Sequence, residues 1–77
     1  MADESGFEMV PVSSSQIEAV GFNAATNQLR IRFLKNGSLY EYDNVDQATF
    51  DGLVNAPSVG SYFGAVIKGV NPYRRIA

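Results

Sequence analysis

Leu29-Arg30-Ile31-Arg32-Phe33-Leu34-Lys35-Asn36-Gly37-Ser38-Leu39-Tyr40-Glu41-Tyr42-Asp43 is the stretch from which the fold is read. From Leu29 to Phe33 apolar and charged residues alternate without a fault, the period of a strand with one buried face. Asn36-Gly37 follows, a pair in which both residues tolerate positive φ and which marks a tight hairpin. Taken as a two-residue loop, it sets Phe33 opposite Tyr40, Arg32 opposite Glu41, Ile31 opposite Tyr42 and Arg30 opposite Asp43. One face then holds Leu29, Ile31, Phe33, Tyr40 and Tyr42, and the other pairs two arginines with two acids. A three-residue loop would put Arg32 beside Tyr42 and Phe33 beside Glu41, losing the apolar and the charge matching together.

Towards the N-terminus, Ile17 to Phe22 has strand-like content weakened by Gly21, and Asn23 to Asn27 reads as a turn with an Asn at each end. Pro11 to Ser15 is a stiff lead-in. Met1 to Val10 carries Asp3, Glu4 and Glu8 with no apolar period, and reads as a mobile acidic tail, although Phe7 and Met9 are able to dock. Towards the C-terminus, Asn44 with Gln47 three residues on predicts the start of a short helix whose apolar positions are Val45, Phe50, Leu53 and Val54. Ser58 is a natural cap for a second helix over Val59 to Lys68, where Val59, Tyr62, Phe63, Val66 and Ile67 make an amphipathic stripe, and Gly69 stops it. Tyr73 to Ala77 is either a frayed end or a short added strand. The expected fold is α+β: a three-stranded antiparallel meander over residues 11–77, with two short helices packed on one face.

Composition bounds the function. Seventy-seven residues make one small domain, and apolar residues at 45% against 18% charged are those of a folded chain. With no Cys and no His, disulfides, thiolate metal sites, the commonest metal ligand and the commonest general base are all absent. No cofactor or metal is expected. The serines and Lys68 show no spacing that would activate a nucleophile, so an enzyme is not expected. No apolar run approaches the roughly 18 residues of a membrane span, and the acidic start is unlike a signal peptide, so the expectation is a soluble cytoplasmic protein without membrane contact.

The net charge of −2 hides an asymmetry, because no acid follows Asp51 while Lys68, Arg74 and Arg75 do. Lys68, Arg74 and Arg75, with Tyr73 as a planar neighbour, are therefore the candidate anion or nucleic-acid site. Arg30 and Arg32 are secondary candidates, since each is expected to face an acid across the hairpin. Tyr40 and Tyr42 are expected in the core, with a ligand contact left open. The glycines at Gly60 and Gly64 lack the spacing of a phosphate loop, which leaves Ser58 to Ser61 as a plain helix cap.

Several pieces in order carry a resemblance: Pro11-Val12-Ser13-Ser14, Gly21-Phe22-Asn23, Tyr40-Glu41-Tyr42, Asp43-Asn44-Val45, Ala56-Pro57-Ser58-Val59-Gly60-Ser61-Tyr62-Phe63 and Ile67-Lys68. Together they resemble a KTSC domain, a small module named from the C-terminus of some lysyl-tRNA synthetases and also found alone in bacterial and phage proteins. The resemblance runs from about Val10 to Tyr73. Asp46 departs from it where such domains often have Pro, which bears on where the first helix begins. The resemblance implies a small domain of unsettled function for which RNA binding has been suggested, and it brings no catalytic residues with it.

Two readings follow. One is a contact module for RNA or another nucleotide-type anion, using Lys68, Tyr73, Arg74 and Arg75, with Arg30 and Arg32 in support. The other is a protein-interaction module, of the kind a phage would carry, that docks on a host protein through the acidic tail or a free sheet edge.

Overall fold

In the computed structural model, which describes residues 7–77, the chain forms β1 (Val10–Pro11), β2 (Ile17–Asn23), β3 (Gln28–Phe33), β4 (Leu39–Tyr42), α1 (Gln47–Asn55), α2 (Val59–Val66) and β5 (Tyr73–Arg75). The strands make one antiparallel sheet in the order β1-β2-β3-β4-β5. The α+β class and the central meander are as expected, but the described sheet has five strands rather than three. Both additions are short edges that sequence content alone leaves ambiguous. β1 carries Pro11, tolerable at an edge where no ladder donor is needed, and β5 is the strand alternative for the C-terminal residues.

The hairpin keeps its predicted faces and changes its register. Leu29 pairs with Tyr42, Arg30 with Glu41, Ile31 with Tyr40 and Arg32 with Leu39, a slip of two residues from the expected pairing. A two-residue loop of the tightest kind needs positive φ at both positions, and here only Gly37, at +69°, adopts it. The chain instead turns through four residues, Leu34 to Gly37. Phe33 N–H donates to Ser38 O (2.9 Å), Gly37 N–H donates to Phe33 O (3.0 Å), and Asn36 Oδ1 accepts from Ser38 N–H (3.1 Å). Because side chains alternate with period two, a slip of two leaves every residue on its own face. The charge pairs change: Arg30 meets Glu41, while Arg32 turns its guanidinium to Gly37 O (2.8 Å).

A bulge completes the inner face. Ile17 pairs with Phe33 and Ala19 with Arg32, so one extra residue is accommodated around Glu18. Strict alternation would send Ile17 and Val20 to opposite faces; the bulge lets both reach full burial alongside Leu29 and Ile31. The helices close over them with Leu53 from α1 and Val59 and Phe63 from α2, and Phe22 stacks on Phe50 at a centroid distance of 5.2 Å. α1 is capped by Asp46, whose carboxylate accepts from Thr49 N–H (2.8 Å), and not by Asn44, which takes positive φ (61°) two residues earlier. Ser58 caps α2 as expected, but the helix ends at Val66, before the expected Lys68; the next residues are turns leading to Gly69 at φ +77°. Among the described residues no helix is long and apolar enough to cross a membrane.

The outer face of the sheet has a cover of its own. Phe7 is only 2% exposed, with the Arg30 guanidinium 4.2 Å from its ring centroid. Gly21, cross-strand from Arg30, lies so close beneath this segment that a Cβ there would stand 2.7 Å from Met9 Sδ and 3.1 Å from Glu8 O. The expected tail over Met1 to Val10 therefore divides: residues 1–6 lie outside the described residues, and from Phe7 on the chain is part of the folded body. Burial of one aromatic ring, together with a cation-π contact and a glycine that admits the backbone, outweighs the local acidity. This gives a sign test. Valine is preferred to glycine in an uncovered strand, so Gly21→Val is expected to lower the melting temperature only because the segment is docked. In a Phe7→Ala background that penalty should shrink towards zero or reverse, which thermal melts of the four proteins in the cycle would read.

Candidate functional site

Alternation along β5 divides the C-terminal basic residues. Tyr73 pairs with Tyr42, Arg74 with Glu41 and Arg75 with Tyr40, so Tyr73 and Arg75 belong to the helix side of the sheet and Arg74 to the other. On that outer side Glu41, 5% exposed, accepts from Arg30 Nε (2.9 Å) and from Arg74 Nη2. Asp43 accepts from Arg74 Nη1 (3.1 Å) and from Gln28 Nε2 (2.9 Å). The Gln28 hydrogen bond first, and Arg74 second, hold the Asp43 carboxyl below the usual carboxylate range. The same contacts, Asp43's hydrogen bond foremost, hold Arg74 firmly protonated. Arg74 is thus engaged by two acids that sequence proximity could not reveal, 31 and 33 positions away. Arg30 and Arg32 lie on this same outer face, the one beside Glu41 and Phe7, the other bonded to the hairpin turn.

The helix side is different. Its β4–β5 portion forms the floor of an open groove of about 1050 Å³ whose lining includes Phe33, Tyr40, Tyr42, Phe63 and Tyr73. The rings form a connected surface. Tyr73 lies 5.5 Å from Tyr42 and 5.8 Å from Tyr40, tilted by 31° and 36°, while Phe33 and Phe63 meet the neighbouring tyrosines edge to face. Gly60 and Gly64 of α2 edge the groove, and a Cβ at Gly64 would meet nothing within 4 Å, so α2 leaves the tyrosines open. Tyr73 is 61% exposed, Tyr40 half-buried and Tyr42 buried. Burial, then the neighbouring Tyr40 and Tyr73, push the Tyr42 phenol up to about 12, so it stays neutral at ordinary pH.

The polar lining is of one sign. Lys35 from the β3–β4 loop and Lys68 from the turn after α2 both line the groove, and no carboxylate does. Among the described residues neither lysine has an ion-pair partner. The sheet therefore sorts its charges, with Glu41 and Asp43 compensated by Arg30 and Arg74 on one side and two lysines beside aromatic rings on the other. Such a surface suits a ligand with planar apolar parts and negative charges.

Of the residues expected in the site, Lys68 and Tyr73 come together in the groove. Arg75 is on the same side of the sheet, paired with Tyr40, but does not line the groove, and its Nε donates to Ala77 O (3.0 Å). Arg74, Arg30 and Arg32 are on the far side of the sheet. Lys35 was missed; next to Asn36-Gly37 at a hairpin tip, it carries no signal that separates it from a solvated lysine.

Residues 13–73 match the family model of the KTSC domain. The chain belongs to the KTSC domain family. This KTSC domain is 40% identical over 60 residues to a protein of Tsukamurella paurometabola, covering 78% of this chain and 88% of that one. It is 35% identical over 75 residues to a lysine–tRNA ligase of Nostoc sp., covering 97% of this chain but only 13% of the ligase. The crystal structure of a KTSC domain protein from Yersinia pestis superposes with a TM-score of 0.88 at 34% identity, covering 92% of this chain and 99% of that one.

Proposed function

We propose that this KTSC domain is a non-enzymatic binding module for single-stranded RNA, with bases stacking on Tyr73 and Tyr40 and phosphates drawn to the lysines of the groove. The observation that carries this reading is the one-signed groove, whose tyrosine floor is flanked by two lysines and no acid. Stacking on aromatic rings presented by a sheet is a common way of holding unpaired bases, and it tolerates many sequences because every base has a π-face. The presence of related domains in lysine–tRNA ligases, enzymes named for their tRNA substrate, supports RNA as the strand.

The acidic overall balance, with a pI near 4.8, argues for a weak and local contact rather than a broad electrostatic footprint. Fluorescence anisotropy with labelled single-stranded RNA at low salt tests this. Stacking of one base is worth about 1–3 kcal/mol, so Tyr73→Ala should weaken binding roughly 5- to 150-fold, while Arg32→Ala on the far face should leave it unchanged. Tyr73 is mostly exposed, so its loss should spare the fold, which circular dichroism would verify. Absence of binding by the unaltered protein would overturn the reading and favour a protein partner.

A further inference from the structure

The two groove lysines stand at opposite ends of the tyrosine floor. α2 starts near the hairpin tip: Gly60 approaches Gln16, whose carbonyl accepts from Leu34 N–H (3.0 Å), and Lys35 follows directly in that loop. α2 ends at the other end of β4, where Asn71, three residues after Lys68, donates its side-chain amide to Asp43 O (2.9 Å) and Asn44 O (3.0 Å). β4 and its flanks from Ser38 to Asp43 separate these ends by about 17 Å at 3.4 Å per residue. The two lysines therefore supply positive charge at separate ends of the floor rather than as one cluster. The Lys35 end also holds Ser38, a groove residue 3% exposed whose buried Oγ has no hydrogen-bond partner.

Resting on the reading of the groove as a single-strand site, we propose that it is a two-phosphate clamp. One phosphate of the strand sits on Lys35 and another on Lys68, and the bases between them stack on the tyrosines. The ligand is then an oligonucleotide rather than a mononucleotide, with a site near the low end of the roughly 4 to 16 nucleotides of single-strand binding folds. Recognition is of the phosphodiester backbone and of unpaired bases in general.

The salt dependence counts the contacts. Each single-strand phosphate contact contributes a slope of about −0.7 in log K against log salt, so two contacts give about −1.4, roughly a sevenfold loss between 50 and 200 mM. Lys35→Ala and Lys68→Ala should each halve the slope to about −0.7, roughly a 2.6-fold loss over the same range, and the double variant should lose salt-dependent binding. Lys→Arg at either position should keep the slope. The measurements use oligouridylates from one to eight nucleotides and the matching DNA strands, with the full chain. Affinity that rises from the mononucleotide to about the tetranucleotide and then levels, with equal slopes for RNA and DNA, supports the clamp. A mononucleotide bound as tightly as the tetramer overturns it, as does a slope untouched by either lysine change. In those cases a Tyr73→Ala defect would leave the single-strand reading standing; if no strand binds at all, both fall.

Discussion

Phe63→Ala is expected to remove a large share of the KTSC domain's stability. Phe63 is 5% exposed and meets Phe33 and Tyr42 edge to face, at centroid distances of 5.7 and 5.4 Å. With Val59 it holds α2 to the sheet, and it also lines the groove. Truncating a buried phenylalanine costs about 3–5 kcal/mol, through lost transfer energy and the cavity left behind. A domain of this length has roughly 4–12 kcal/mol in total. At about 4–8 °C per kcal/mol, the melting temperature should fall by at least about 12 °C, followed by far-UV circular dichroism. Phe33→Ala is the informative comparison: the two-residue slip leaves Phe33 partly exposed at the groove, so its loss should cost clearly less. A Phe63→Ala melt within a few degrees of the parent would mean that α2 is not anchored as described.

The second large effect is alkaline. Tyr42 is 4% exposed, and burial in the first place raises its phenol from 10.0 to about 12. Between these values the unfolded chain has released the proton and the folded one still holds it, so the unfolded state binds fewer protons and stability falls as pH rises. The contribution is complete below pH 10 and is lost as pH passes through about 12, some 2–3 kcal/mol at 1.36 kcal/mol per unit. Urea unfolding at intervals from pH 8 to 12 would show it. In Tyr42→Phe the ring stays and the proton goes, so the decline between pH 10 and 12 should be shallower by about that amount. An identical decline in both proteins would show that Tyr42 is not the group responsible.

The candidate site was legible only in part. Lys68 stands out because no acid follows Asp51, and Tyr73 as a planar neighbour of the basic residues; both line the groove. The same criterion failed for Arg74, since an antiparallel neighbour brought Glu41 and Asp43 to it across more than thirty positions. It also treated Arg74 and Arg75 as one cluster, whereas adjacent residues in a strand face opposite ways. Tyr40 and Tyr42 differ for a tertiary reason. Both alternate inward, but the helices lie over one portion of the sheet and leave the β4–β5 portion open, so Tyr40 keeps part of its surface in the groove.

By itself the sequence determined the faces of β3 and β4, the Ser58 cap of α2 and most of the apolar positions that build the core, Val66 of the expected stripe being exposed instead. These depend on local periodicity and on bonds within a few residues. The tertiary structure decided the hairpin register, because a two-residue slip preserves every face and only packing chooses between the two pairings. It likewise decided the edge strands, the docking of Phe7 beneath Arg30 and the sorting of charge between the two sides of the sheet. Each of these joins residues far apart in the chain, where the energy lies in a partner that no local pattern names.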